Sequence, residues 1–167
     1  MKIRPRILIA LAAATLTIAA SPHNKSTHHH IKALSPDRIE ALQTGAGAGY
    51  ALPAELNGYP GPRHVLDLAD ALHLTQEQRQ ETARLFERMK AEAIPMGRKI
   101  IQQETDLDAL FRHKRADETG LFQLTSAIGA SEARLRATHL KYHLIMADML
   151  TPPQRAAYSR LRGYGSH

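Results

Sequence analysis

Leu74-Thr75-Gln76-Glu77-Gln78 and Leu150-Thr151-Pro152-Pro153-Gln154 share the pattern Leu-Thr-x-x-Gln. In each, the threonine hydroxyl suits a helix N-cap, where it accepts a hydrogen bond from a free backbone N–H of the first turn. The glutamine three residues on can reach back to the cap residue's own N–H, completing a capping box. Pro152 fits the first helical position, where a missing N–H costs nothing. The apolar staple that often accompanies such a start is absent, because Arg79 and Arg155 stand in its place. One pentapeptide alone is simply a helix start. Here two of them bracket the most periodic part of the chain.

Within the bracket, Phe86, Met89, Ala93, Met96, Ile100, Leu107 and Leu110 recur in steps of three and four, a near-heptad seam broken at Gln103. This predicts a helix from 75 to about 115, roughly 60 Å long. Pro95, with Gly97 close by, predicts a bend around 91–97 rather than a chain reversal, because it removes the hydrogen bond to Ala91. Arg112-His113-Lys114-Arg115 closes this helix with positive charge, favourable at a C-terminus, and Asp117 can cap the next. Leu121, Leu124, Ile128, Leu135, Tyr142, Ile145 and Met149 predict a second helix ending near Leu150, and a last one runs to Gly163. The expected fold is all-α: a long antiparallel helical hairpin with short flanking helices, kinked near Pro95. A turn near Ala116 sets opposite one another residues whose numbers sum to about 232. His139 then falls near Ala93, and His143 near Met89.

The chain has 167 residues, room for one small domain with a leader and a tail. Residues 1–20 read as a secretory signal. Lys2, Arg4 and Arg6 precede an uncharged apolar run over 7–20, short for a membrane span. Export to the periplasm is therefore expected, with an uncleaved anchor as the alternative. Cutting off the leader takes Lys+Arg from 22 to 19 against 16 Asp+Glu, so the formal charge falls from +6 to +3. The remaining charges alternate along the helices, as on a solvated face, and no nucleic-acid motif is present. There is no cysteine, which excludes disulfides, thiolate metal sites and cysteine nucleophiles together. A small exported domain without such staples often dimerises, so a homodimer is expected.

Four stretches divide the chain: the leader over 1–20, a loosely ordered segment over 21–57, a hairpin domain over 58–163, and a tail over 164–167. His23, His28, His29 and His30 lie in a polar stretch without apolar periodicity. It is either a solvated linker or a loose gatherer of transition metal. Leu34-Ser35-Pro36-Asp37 is a third, degenerate helix start, with Arg38 where the glutamine would be, and predicts a short helix to about Gln43, stopped at Gly45. Over 44–63, five glycines and three prolines predict a mobile connector. Gly45-Ala46-Gly47-Ala48-Gly49 follows a helix and precedes no Lys-Ser/Thr, so it is no phosphate loop. Pro62 opens a short helix through His73, with Val65, Leu68, Ala69 and Leu72 on one side.

Ten histidines and five methionines supply the candidate chemistry. His139 and His143 are four apart, so they project from one helical face one turn apart. Two imidazoles so placed can share a metal ion, or can be two half-exposed surface residues. Met146 lies one turn further on. Across the hairpin, Glu87, Met89 and Glu92 come within reach, and His64 can fold over the same end. Met89 also lies on the seam, where methionine is ordinary core filler. Imidazole with carboxylate or thioether suits zinc, nickel, cobalt or copper better than magnesium or calcium. No nucleophile–base pair stands out, and a non-enzyme is expected.

On its paired Leu-Thr-x-x-Gln motifs and hairpin layout, the chain over 58–163 resembles the LTXXQ-motif family of small periplasmic proteins. That family includes Spy/CpxP-like chaperones and heavy-metal sensor and resistance proteins. The metal-sensor resemblance implies ligands from a histidine-bearing N-terminal helix, a glutamate on the first hairpin helix, and a histidine and methionine on the second. His64, Glu87, His139, His143 and Met146 are the nearest matches. It also implies a membrane-bound signalling partner. The chaperone resemblance implies unfolded client proteins, bound on a basic, partly apolar surface for which Arg84, Arg88, Arg98, Lys99, Arg134 and Arg136 are candidates.

Overall fold

The computed structural model describes residues 31–164. Its regular elements are all helical: α1 Pro36–Thr44, α2 Leu52–Glu55, α3 Pro62–Asp67, α4 Gln76–Arg112, α5 Glu118–Met149 and α6 Pro152–Leu161. The expected leader over 1–20 and the candidate ligands His28, His29 and His30 lie outside the described residues. α4 and α5 make the most extensive packing contact and form the expected antiparallel hairpin. Asp117 caps α5 by accepting the Gly120 N–H at 2.7 Å. α4 runs through Pro95 without a chain reversal. Glu92 faces Lys141 and Tyr142, and Met96 faces Thr138, within about two residues of the register read from the turn. Among the described residues, no helix is long and apolar enough to cross a membrane.

Both pentapeptides form capping boxes, with Thr75 and Gln78 at α4 and Thr151 and Gln154 at α6. The fold then brings the two boxes together. Gln78 Nε2 donates to Gln154 Oε1 at 3.0 Å, and Gln154 Nε2 donates to Gln78 Oε1 at 2.9 Å. Each amide also donates to a backbone carbonyl, Met149 O for Gln78 and Leu72 O for Gln154. The arginines in the staple positions act through hydrogen bonds instead. Arg79 Nε donates to Leu74 O at 3.4 Å. Arg155 Nη1 donates to Leu150 O and Ala147 O, both at 2.7 Å, and so satisfies a carbonyl left free near the end of α5. The working motif is thus six residues long, Leu-Thr-x-x-Gln-Arg. Gln78→Ala and Gln154→Ala should each lower stability by about 1–2 kcal/mol. The double variant should lose less than the two together, because either replacement already strips the other amide of its partner. Urea unfolding of the four proteins reads this coupling, and strict additivity would mean that the boxes act independently.

The core has two parts. Val65, Leu72, Leu85, Tyr142, Met146, Leu150 and Tyr158 knit α3, α4, α5 and α6 at the open end of the hairpin. Further along, Leu42 of α1 packs with Ala93, Ile100 and Leu135. The described part of 21–57 carries α1, the short helix expected after Ser35, together with α2 and a set of buried side chains. Ser35 caps α1 by accepting the Arg38 N–H, and Gly45 ends it in the left-handed conformation at φ 71°. Gly97, expected near a bend at Pro95, has a packing role as well. A Cβ there would overlap the carbonyl oxygen of Leu42 and stand 2.7 Å from its carbonyl carbon. The glycine therefore admits the backbone of α1 onto α4. Beyond this point the described residues leave the hairpin largely open, with Lys32 reaching Asp108. No residue between Ile101 and Ala130 is buried, and Phe111 and Phe122 are 58% and 73% exposed.

Candidate functional site: a histidine cleft between the hairpin and the glycine-rich segment

The 44–63 segment, expected as a connector, forms one wall of a cleft of about 580 Å³ against α3, α4 and α5. Tyr59-Pro60-Gly61-Pro62 shapes this wall. Pro60, Gly61 and Pro62 are buried, Pro62 starts α3, and the two fixed proline φ angles hold the chain between them. That geometry presents the Tyr59 carbonyl to His143 Nδ1 at 2.8 Å. A carbonyl only accepts, so Nδ1 carries the proton and Nε2 carries the lone pair. His143 Nε2 faces Gly61, where a Cβ would lie 2.8 Å from it and 3.4 Å from Glu55 Oε1. The absent side chain thus lets the His143 ring close onto the Gly61 backbone, with Glu55 Oε1 beside it at the cleft. His64 stands on α3 with Nε2 3.7 Å from the same Glu55 oxygen and Nδ1 3.5 Å from Asp67.

One turn before His143, His139 is 2% exposed and its Nε2 has no hydrogen-bond partner among the described residues. Tyr50 stacks on its ring with centroids 5.8 Å apart and planes 17° apart. Tyr50 is held in turn by Arg38 and Glu132, the pair that ties α1 to α5. Arg38, which takes the glutamine's place in the third start motif, is thus an anchor for the lid over His139. Burial, helped by the nearby His143, pushes the His139 pKa down to about 4. Burial also lowers that of His143, against the opposing pull of the Tyr59 carbonyl and Glu55.

His64, His139, His143 and Met89 line this cleft together. Glu87, Met146 and Glu92 do not, and each departure follows from helical geometry. Glu87, two residues before Met89, turns to the opposite side of α4. Its side chain is 69% exposed, 3.8 Å from Lys90. Met146 is fully buried in the core against α3 and α6. Glu92 is engaged by Lys141 at 2.6 Å and by the Tyr142 hydroxyl at 2.8 Å, because the register sets those residues opposite it. The carboxylates that border the cleft are Glu55 and Asp67 instead. Sequence reasoning missed Glu55 because glycine density marked its segment as connector. The usable signal was Tyr59-Pro60-Gly61-Pro62, a glycine held between two prolines. Among the described residues, no three His, Asp or Glu side chains stand as a ready metal shell. Comparison with protein-family models, curated proteins and solved structures finds no match for this chain.

Proposed function

We propose that this chain is an exported, periplasmic metal-binding protein of the LTXXQ type, a heavy-metal sensor or resistance protein that takes a divalent transition metal in the histidine cleft. The observation that carries this reading is His143. Its Nδ1 proton is committed to a backbone carbonyl, the arrangement usual for a metal-ligating imidazole, which leaves its Nε2 lone pair free at the cleft, packed on Gly61 and beside the Glu55 carboxylate. His64 offers a second imidazole, and His139 a third with an unpartnered buried nitrogen. A shell closes when the half-exposed His64 rotates toward His143 Nε2 and Glu55 Oε1. Neutral imidazoles with one carboxylate favour zinc, nickel, cobalt or copper over magnesium and calcium. Lowered imidazole pKa values reduce competition from protons. The paired Leu-Thr-x-x-Gln motifs support the family assignment. The chaperone alternative has less to rest on, since Arg84 and Arg88 of its basic surface are engaged by Glu81 at 2.8 and 3.2 Å.

Titration of zinc, nickel, cobalt and copper into the purified protein tests the reading. His28, His29 and His30 are replaced by alanine, so that the N-terminal stretch contributes nothing. His139→Ala with His143→Ala should weaken the tight phase by more than about 100-fold. An unchanged isotherm refutes the site.

A further inference from the structure

Glu55 ends a four-residue helix that has no side-chain cap, so α2 alone does not fix its carboxylate. Yet that side chain is only 12% exposed and makes several directed contacts. They come from the other end of the chain. The Tyr164 hydroxyl donates to Glu55 Oε2 at 2.7 Å, and Arg162 Nη2 stands 3.5 Å from the same oxygen. Arg162 also donates to the Tyr164 hydroxyl at 3.0 Å and lies over its ring, 5.4 Å from the centroid. The three groups form a closed cluster on Oε2. Oε1 is left to face His64 and the cleft.

A carboxylate with one oxygen tied down and the other presented is prepared to bind a cation through that single oxygen. A hydroxyl donor and a guanidinium behind it fix its direction. Such supporting partners matter for affinity: losing one typically weakens metal binding by 10–100-fold. α6 also gives the C-terminal strap that follows it, with Arg162 and Tyr164, a rigid base, because Gln154 and Arg155 anchor its start to α4 and α5.

We propose that Glu55 is the anionic ligand of the cleft and that Arg162 and Tyr164 are its positioning residues, which makes the C-terminal strap part of the metal site. This rests on the metal-binding reading above. A merely structural strap would hold the tail in place and leave the metal indifferent.

The test uses the full chain in the same His28, His29 and His30 alanine background. Zinc affinity is measured by competition with a chromophoric chelator. Cobalt absorption reports the ligand field, and thermal melting of the metal-free protein reports structure. Tyr164→Phe, which removes only the hydroxyl, should weaken zinc about tenfold, and Arg162→Ala with Tyr164→Phe by about 10–100-fold. Both should change the cobalt spectrum, and Tyr164→Phe should leave the metal-free midpoint near the parent value. Glu55→Gln should weaken zinc at least as much as the double variant. Parent affinity and parent spectrum in Tyr164→Phe and in the double variant, with binding still lost in His139→Ala/His143→Ala, overturn this inference alone. Binding that survives His139→Ala/His143→Ala overturns the cleft reading and this inference with it.

Discussion

Alanine at Gly97 is expected to lower the melting temperature by roughly 10 °C. Helix propensity alone predicts the opposite sign, because glycine inside a helix is less favourable than alanine by about 1 kcal/mol. Packing decides otherwise. The added methyl would overlap the Leu42 carbonyl oxygen and stand 2.7 and 3.0 Å from the carbonyl carbon and Cα of the same residue. These are backbone atoms, so no side-chain rotation relieves the contact, and α1 has to lift from α4. Leu42, 2% exposed, would lose its seat against Ala93, Ile100 and Leu135. Overpacking of this kind costs about 1–3 kcal/mol, and loosening a buried leucine adds to it. Gly129 is the control, because nothing lies within 4 Å of a Cβ placed there. Gly129→Ala on α5 should stabilise by about 0.5–1 kcal/mol. Thermal melts of the two variants should therefore move in opposite directions. A Gly97→Ala protein as stable as the parent would mean that α1 does not seat on α4 at this point.

Acid should destabilise the metal-free protein well above the carboxylate range. His139 titrates near 6.5 when unfolded and near 4 when folded, because burial and His143 disfavour its charge. The sign follows from proton binding. Between those two values the unfolded chain holds the extra proton, so stability is full above about pH 6.5 and falls as pH drops toward 4. The loss from His139 alone is about 3 kcal/mol at pH 4. His143, shifted in the same direction, adds to it. Glu92, held low by Lys141 and Tyr142, contributes only at lower pH, in the carboxylate range. Urea unfolding from pH 7 to pH 4 with chelator present measures the slope. His139→Leu should flatten it, and a parent protein equally stable at pH 7 and pH 4.5 would contradict the buried neutral imidazole. On the metal-binding proposal, zinc should restore stability at pH 5–6, since a metal binds the form from which the proton is absent.

The motif positions were legible in the sequence because they are local. A threonine hydroxyl and a glutamine amide three residues apart cap a helix wherever the chain allows one, and both boxes form. The steps of three and four on either side of Asp117 also sufficed for two long helices and their antiparallel pairing, as helical periodicity and a short turn leave few alternatives. His139 and His143 share a face by the same arithmetic. What the sequence could not supply was anything dependent on contacts between distant segments. The two glutamine amides meet across 76 residues of chain. Gly97, two residues after Pro95, also seats the backbone of α1, a contact that its place in the sequence does not announce. Glu87 and Met146 lie near the histidines in sequence order and register, but the rotation of each helix sends one to solvent and the other into the core. Glu55 becomes a neighbour of His64 and Tyr164 only once a glycine-rich segment folds back over the hairpin. Periodicity fixes which residues share a helix face. Which face meets which neighbour is set by burial summed over the whole chain, and no local pattern encodes it.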